Sequence, residues 1–347
     1  PGFDFFVGNP PFLGGAKIST HSGMLYFSWL TNQFPPAGHQ CDLAGYFFRQ
    51  VFNLTRNGGV LGLIASNTIA QGDTREGTLV PILQSSGHII SAVKRYRWPG
   101  IAAVIVCPIH IEKGTVSVVP KIGKKSVLRI SAYLLEGAVD HSPETLQNNP
   151  YFSKGSQIYG QGFVFDDADT DANSIEDLQV LLQKEESAKA RIFPFIGGVD
   201  VNSMPEIVVP RHVAYLSDLK EEEDLSSCPE LAKIIRERVK PERDALGPNP
   251  NNAPLKKRWW AYQAHRPELY ERLKAKHQVI AHAEVSPNLA FRFVPANWQY
   301  NKTLIIIDSD SLSTYACLQS QSHEAWVRLL ASSFKDDLRY TASVCFK

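Results

Sequence analysis

The residues with the clearest chemical potential in this chain are Asn9-Pro10-Pro11-Phe12, which follow the apolar run of residues 3–8. Two prolines restrict φ and remove two backbone donors, so the turn is stiff and its carbonyl oxygens stay free to accept. The Asn9 side-chain oxygen and the Pro10 carbonyl oxygen can each accept one hydrogen of an exocyclic amine, while Phe12 stacks on the ring that carries it. The pattern predicts a site for a planar NH2-bearing ring; the alternative is a proline-rich turn without chemistry.

The neighbouring segments have the patterns of strands and helices that would position this turn. Residues 3–8 predict a buried strand, residues 42–54 have helical apolar spacing, and residues 60–65 predict a strand buried on both faces of a parallel sheet. Further elements are predicted at 78–85, 88–95 and 104–111. The alternation predicts a doubly wound α/β sheet, in which ligands bind at the carboxyl ends of the strands. Asn9 lies at such an end.

Composition limits the classes of protein that fit. The 347 residues suit two domains, and 44% hydrophobic and 20% charged residues predict a soluble globular protein. No apolar stretch reaches the ~18 residues of a membrane span, so no membrane partner is expected. The five cysteines are scattered and the histidines lack metal-ligand spacing, which predicts a cytoplasmic protein without a structural metal.

Several motifs resemble those of a known enzyme family. Asn9-Pro10-Pro11-Phe12, residues 42–47, residues 58–64 and Trp98-Pro99-Gly100 resemble, in this order, the catalytic half of the γ-class adenine-N6 DNA methyltransferases. Later motifs resemble single-chain type IIG/IIL restriction–modification enzymes of bacteria and archaea; they lie at residues 64–75, 193–202, 258–260, 266–270 and 338–340. In those enzymes a nuclease segment precedes the methyltransferase and a target-recognition domain follows it.

The resemblance implies a fold and a function. Residues 1–114 are expected to form the second half of a Rossmann-like methyltransferase sheet, residues 115–150 a connector, and residues 151–347 a mixed α+β target-recognition domain. The implied activity is S-adenosylmethionine-dependent methylation of adenine N6 in double-stranded DNA. Hydrogen bonds from the amine to Asn9 and Pro10 would favour a more tetrahedral nitrogen in a base that has left the duplex.

The resemblance also assigns roles to individual residues. Asn9, Pro10 and Phe12 are implied as catalytic, and Phe12 with Trp98 as the rings that hold the base. Asp42, Tyr46 and Phe47, at the start of the next helix, are implied as cofactor-binding. DNA contacts, mostly to phosphates, are expected from Lys17, Lys256, Lys257, Arg258, Arg266, Arg292 and Arg339.

No glycine fingerprint bounded by a strand precedes Asn9, although complete sheets of this type carry their cofactor on such a loop. We therefore expect the main S-adenosylmethionine loop in an N-terminal portion of the same polypeptide before Pro1, and an inactive fragment without it. One alternative is a non-catalytic DNA-specificity module. Another is an amino-methyltransferase acting on protein glutamine or RNA, which the Trp/Arg clusters of the second half disfavour.

Overall fold

The chain forms two compact units, residues 1–146 with 326–336 and residues 147–325 with 337–346. The computed structural model describes residues 2–98, 105–137, 139–140, 144, 151–204, 206, 209, 211–334 and 337–346. Pro99, Gly100 and most of residues 138–150 in the predicted connector lie outside these described residues. The functional domain boundaries expected from the sequence stay a prediction, because the two units are defined by contacts alone.

The first unit is built around one mixed sheet. Its elements are β1 (Phe3–Gly8), α1 (Gly15–Ser22), α2 (Met24–Gln33), α3 (Leu43–Leu54), β2 (Thr55–Ser66), α4 (Gly72–Gly77), α5 (Leu79–Gln84), β3 (Gly87–Ala92), β4 (Tyr96–Arg97), β5 (Ile105–Lys113), β6 (Lys121–Ile122) and β7 (Lys125–Ser126).

The order of the strands is β1-β2-β5-β3-β6-β7, with β4 paired to β5. Strands β1 and β2 are parallel, whereas β5 runs antiparallel to both β2 and β3. An α/β sheet is confirmed as the fold class of this region, but a purely parallel arrangement around residues 60–65 is wrong. The apolar run indicated a strand, and an apolar run carries no information about the direction of its neighbours.

One face of the sheet carries the core. Leu61, Leu63 and Ala65 of β2 are buried against Phe48 and Phe52 of α3 and against α5. The opposite face of β2 is only half-buried, which corrects the expectation of a strand buried on both sides. Because side chains alternate along a strand, the register places Phe5 and Val7 of β1 on this less covered face.

Strand β1 lies at the edge of the sheet and is highly exposed. Phe3, Phe5 and Val7 are all exposed, while Phe6 packs against the core. Parallel strands in α/β proteins are normally covered on both faces and flanked by neighbours. The edge and exposed face of β1 are therefore unusual for an α/β sheet.

The second unit mixes short strands and helices. Its elements begin with β8 (Phe152–Lys154), β9 (Val164–Phe165), α6 (Ile175–Lys184), β10 (Ile192–Ile196), α7 (Gly198–Ser203), β11 (His212–Ala214), α8 (Pro229–Asp244) and α9 (Ala253–Lys257). They continue with α10 (Pro267–Leu273), β12 (Gln278–Ala283), β13 (Val285–Ser286), β14 (Arg292–Pro295), β15 (Gln299–Tyr300), β16 (Leu304–Ile307) and α11 (Leu312–Leu318). Near the end of the chain, α12 (Gln321–Leu330) begins in the second unit and ends in the first, and β17 (Ser332–Phe334) belongs to the first unit. The last elements of the second unit are β18 (Asp337–Arg339) and α13 (Ala342–Cys345).

Two four-stranded sheets organise this unit, in the orders β15-β10-β11-β9 and β14-β12-β16-β8. The first packs against α6 and α8, and the second against α7 and α10. Helix α6 begins with a capping box, in which Ser174 Oγ accepts from Asp177 N at 3.0 Å and the Asp177 carboxylate accepts from Ser174 N at 3.3 Å. The mixed α+β class expected for this region is confirmed. No helix within the described ranges is long and apolar enough to cross a bilayer.

A fully buried histidine should make the second unit sensitive to acid. His282 Nδ1 lies 2.8 Å from the carbonyl oxygen of Ala290, and its ring stacks on Phe291 with centroids 4.6 Å apart. Burial lowers the pKa of His282 to about 4 from 6.5; the hydrogen bond to Ala290 opposes this shift and the nearby His323 adds to it. The neutral ring is therefore favoured in the folded state.

We expect the free energy of unfolding to fall as pH drops from about 6.5 to about 4, by up to ~3 kcal/mol, because only the unfolded histidine takes up a proton in that window. Denaturant titrations across this range measure the loss. The His282→Phe variant keeps the stacked ring and should show a flatter pH profile, whereas His277→Gln, at an exposed position, should follow the wild type. Identical profiles for wild type and His282→Phe would contradict the assignment.

Candidate functional site

The Asn9-Pro10-Pro11-Phe12 turn begins at the carboxyl end of β1. Gly8 pairs with Leu63 of β2, which runs parallel to β1. Asn9 therefore follows β1 on the side of the sheet where the carboxyl ends of both strands lie. Asn9 is exposed, and its side chain has no hydrogen-bond partner among the described residues, while Pro10 is buried. The turn thus presents an unpaired amide on a buried, rigid support.

The start of α3 holds the loop that follows the turn. Leu43 N donates to the carbonyl oxygen of Leu13 at 2.9 Å, and the buried Asp42 carboxylate caps the helix by accepting from Ala44 N at 3.0 Å. Burial raises the pKa of Asp42, opposed by hydrogen bonds with the backbone of Ala44 and Leu13. In the structure the Asp42 carboxylate bonds backbone groups of Ala44 and Leu13, so it helps to position the loop after Phe12. Its predicted contact with a cofactor stays a prediction.

A cavity of about 620 Å³ opens beside the turn. Phe12 is 41% exposed and Phe47, on α3, is 40% exposed, so each presents a ring to this space. The other lining residues are Pro11, Leu13, His21, Ser22, Tyr26 and Leu43. Aromatic and apolar walls with a few polar groups suit a flat, amphipathic ligand.

Tyr46 does not line that cavity. It is buried in a second core cluster with its ring edge-on to Phe34, and its hydroxyl has no partner among the described residues. Of the three residues predicted to bind a cofactor, Phe47 alone reaches the cavity.

Trp98 follows β4 at the same edge of the sheet as Asn9. Ser66 of β2 and Tyr96 of β4 both pair with Val106 of β5, so Trp98 lies beyond the end of β2. Three strand spacings separate β4 from β1, which amounts to roughly 14 Å. Trp98 is exposed and makes no ring contact with Phe12 within the described residues. Its role on the second face of a base stays a prediction.

Three of the arginines predicted to contact DNA are engaged by protein groups. Arg258 Nη2 donates to the carbonyl oxygens of Ser217 at 2.9 Å and Leu219 at 2.8 Å. Arg292 donates to the carbonyl oxygens of Val201 and Met204, and Arg339 pairs with Glu284 at 2.9 Å. These contacts favour structural roles for the three arginines. Their contact with DNA stays a prediction.

The remaining predicted cations are exposed. Lys257 and Arg266 lie on the surface of the second unit, and Lys17 is exposed on α1 of the first. Lys256 is also exposed, and its Nζ donates to the carbonyl oxygen of Asp244 at 3.1 Å. Beside them, Trp259 and Trp260 are buried, and Trp260 Nε1 donates to the carbonyl oxygen of Leu219 at 3.1 Å. The tryptophans of this basic cluster are therefore core residues.

Sequence reasoning missed the contribution of α1 and α2 to the cavity. His21 and Tyr26 line it, and Tyr26 stacks on Trp29 with centroids 5.9 Å apart. The available signal was the run of large apolar residues at 24–29, of which Met24 and Leu25 are also exposed. Such a run on a short helix is more often a core face, so the pattern alone did not distinguish the two roles.

Comparison with known proteins gives two family matches. Residues 1–87 match the Eco57I restriction-modification methylase, and residues 137–347 match the MmeI target recognition domain. A search of curated proteins found no significant match.

Among solved structures, the type IIL restriction-modification enzyme MmeI, solved in complex with DNA, superposes at a TM-score of 0.75 with 19% identity, over 99% of this chain and 46% of that one. The chain thus spans about half the length of that relative. A putative class I S-adenosylmethionine-dependent methyltransferase from Listeria monocytogenes gives a TM-score of 0.27 at 16% identity, over 36% of this chain and 35% of the other. The type IIG restriction endonuclease BpuSI gives 0.33 at 13%, over 99% and 46%.

The superposition on MmeI shows a shared fold. The TM-scores of the other two structures are too low to show one. The match to the target recognition domain covers more than half of the chain, and the methylase match covers the turn that contains Asn9. The resemblance to type IIG/IIL restriction–modification enzymes is thereby confirmed. The chain belongs to the restriction–modification family defined by the MmeI target recognition domain.

Proposed function

We propose that this chain carries the catalytic turn and the recognition domain of an S-adenosylmethionine-dependent DNA adenine-N6 methyltransferase. The observation that carries the proposal is the Asn9-Pro10-Pro11-Phe12 turn, whose unpaired amide stands at the carboxyl end of β1 beside an aromatic cavity. The match of residues 1–87 to a restriction-modification methylase supports it.

The chemistry needs acceptors rather than a strong base. The lone pair of the adenine amine is delocalised into the ring, so the amine is a poor nucleophile. The Asn9 side-chain oxygen and the Pro10 carbonyl oxygen accept its two hydrogens and stabilise the positive charge that develops on nitrogen. Phe12 would stack on the extruded base and help to align the nitrogen with the methyl group of bound S-adenosylmethionine, an alignment that supplies much of the remaining rate enhancement. The methylated amine would then release one of its hydrogens as a proton to solvent.

S-adenosylmethionine supplies an electrophilic methyl group when it is bound. The cavity fits the flat and apolar parts of this cofactor, because Phe47, Leu43 and Leu13 provide an aromatic and aliphatic wall. Among the described residues that line it, none has a carboxylate that could hold a ribose. We therefore expect this 347-residue chain alone to bind the cofactor weakly.

The exposed edge of β1 is where we expect the N-terminal portion of the same polypeptide to complete the site. A further strand alongside β1 would pair its free edge, and a helix over Phe5 and Val7 would cover the bare face. The remaining cofactor contacts, including a glycine loop, are assigned to that portion.

The cavity assignment predicts unequal effects of two neighbouring substitutions. Phe47→Ala is expected to weaken S-adenosylmethionine binding about fivefold, since an aromatic wall contributes on the order of 1 kcal/mol. Tyr46→Phe removes a buried hydroxyl that has no described partner, so its affinity should equal that of the wild type. Calorimetry on the full-length gene product measures the affinity of each variant for S-adenosylmethionine. Unchanged affinity for Phe47→Ala would remove this cavity from the cofactor site.

The substrate class is tested by methyl transfer to competing acceptors. The protein as encoded by its gene is incubated with tritiated S-adenosylmethionine and with duplex DNA, structured RNA or a glutamine-containing protein fraction. Label is expected in duplex DNA alone. Label in RNA or protein would favour another amino-methyltransferase, and sequence-dependent DNA binding without transfer would favour a non-catalytic specificity module.

A further inference from the structure

A strained aromatic residue protrudes from the second unit. Tyr159 adopts φ +57°, a left-handed conformation that is rare for a bulky side chain, and Gly160 follows with φ +100°. The φ of Gly160 explains the glycine, because a Cβ there would meet only the movable end of the Glu242 side chain, with Oε2 2.8 Å away. Tyr159 is 46% exposed. Strain held at an exposed ring suggests that the position of the ring serves a function.

A buried arginine supports this ring from one side. The guanidinium carbon of Arg243 lies 5.0 Å from the centroid of Tyr159, and Arg243 is fully buried. Its Nη2 donates to the carbonyl oxygens of Ile158 at 3.2 Å and Ala261 at 3.3 Å, and it forms no ion pair with any described residue. The cation fixes the loop and withdraws electron density from one face of the ring. An electron-poor ring stacks well on an electron-rich heterocycle.

A cavity of about 210 Å³ adjoins the ring. Val164 and Phe195 are buried and give it an apolar floor. Its rim carries the amide of Gln161 and the ammonium of Lys302. The amides of Gln157 and Asn301 also line it, but the first donates to Gln263 Oε1 and the second accepts from Thr303 N at 3.0 Å. The volume lies below that of ordinary drug-sized pockets and suits a single heterocycle. Amides and lysines are the side chains that read the edges of adenine and guanine.

We infer that Tyr159 and this cavity form a contact site for one nucleobase of the bound DNA that has left the base stack, which rests on the proposed DNA-binding function of the second unit. Tyr159 stacks on the base, and Gln161 and Lys302, both exposed on the rim, contact its edge. Arg243 is a positioning residue that acts through the tyrosine. A mononucleotide carries the same ring chemistry, so the test separates free from DNA-borne bases.

The test uses the whole chain and a pool of duplexes with a randomised core, from which bound sequences are enriched and counted. Tyr159→Gly relieves the strain of the left-handed conformation but loses the cation–π contact with Arg243, so the two effects oppose each other and its melting temperature should stay close to that of the wild type. Its affinity for the enriched duplex should fall about 5- to 150-fold, the range of one base–aromatic stack. Gln161→Ala and Lys302→Ala should relax the preference at one position. Tyr159→Phe keeps the ring and should match the wild type.

The possible outcomes distinguish a DNA-base site from a free-nucleotide site and from a failure of DNA recognition. Wild-type affinity and an unchanged motif in Tyr159→Gly would overturn the inference while leaving DNA recognition in place. Binding of adenosine or guanosine monophosphate to the wild type but not to Tyr159→Gly, with no displacement of the enriched duplex, would reassign the cavity to a free nucleotide. If the wild type enriches no sequence, the proposed DNA-recognition function itself fails, and the inference fails with it.

Discussion

Asn9→Ala is expected to reduce methyl transfer by at least ~10²–10³-fold while DNA affinity stays within about twofold of wild type. The lost side-chain oxygen contacts the amine most strongly when positive charge develops on its nitrogen, so the loss falls on the transition state rather than on binding. Asn9 is exposed and has no hydrogen-bond partner within the described residues, so the substitution removes no internal contact of the fold. Single-turnover transfer and binding isotherms measure the two quantities separately.

Asn57→Ala is the matched control for that experiment. Asn57 is also exposed, but it lies near the amino end of β2, at the opposite edge of the sheet from Asn9. It should therefore leave transfer and binding unchanged. Methyl transfer by Asn9→Ala within a few-fold of the wild-type rate would remove Asn9 from the catalytic machinery.

Arg258→Ala is expected to lower the free energy of unfolding by about 3 kcal/mol. The guanidinium makes two charge-assisted hydrogen bonds to the carbonyl oxygens of Ser217 and Leu219, and each such bond contributes roughly 1.5–3 kcal/mol. Trp260 donates to the same Leu219 carbonyl, so the loss also loosens a buried ring. Urea denaturation measures the change.

The double variant Lys256→Ala/Lys257→Ala separates DNA contact from stability. Both lysines are exposed, so their removal should change the free energy of unfolding by less than ~0.5 kcal/mol. If they meet phosphates, the slope of log K against log salt should fall by roughly 0.9 for each contact, on specific and random duplexes alike. Loss of preference with little change on random DNA would indicate base reading. Unchanged affinity on both duplexes would reject a DNA role for these lysines.

The sequence predicted the strand and the Asn9 turn well because their information is local. Four consecutive residues and the apolar run before them specify a strand that ends in a stiff turn, and the structure places Asn9 at that end. The direction of β5 was not predictable in the same way. It depends on how residues 105–113 return across the sheet, and an apolar pattern has the same period in either direction.

The partners of the arginines and the walls of the cavity beside Phe12 could not be predicted from the sequence, because both depend on tertiary packing. Arg258 contacts carbonyl oxygens some 40 positions away, and backbone acceptors leave no trace in residue types. The cavity combines the loop after Asn9 with α1, α2 and α3, whose mutual packing is tertiary. Tyr159 showed no signal either, because a left-handed backbone is visible only in the fold.

The identity of the methylated base tests the central claim most directly. Duplex DNA is incubated with S-adenosylmethionine and the protein as encoded by its gene, digested to nucleosides, and analysed by mass spectrometry. We expect N6-methyldeoxyadenosine in the wild-type reaction and at least ~100-fold less of it with Asn9→Ala. Methylation of cytosine, or DNA that is bound in a sequence-dependent way yet yields no methylated nucleoside, would contradict the account.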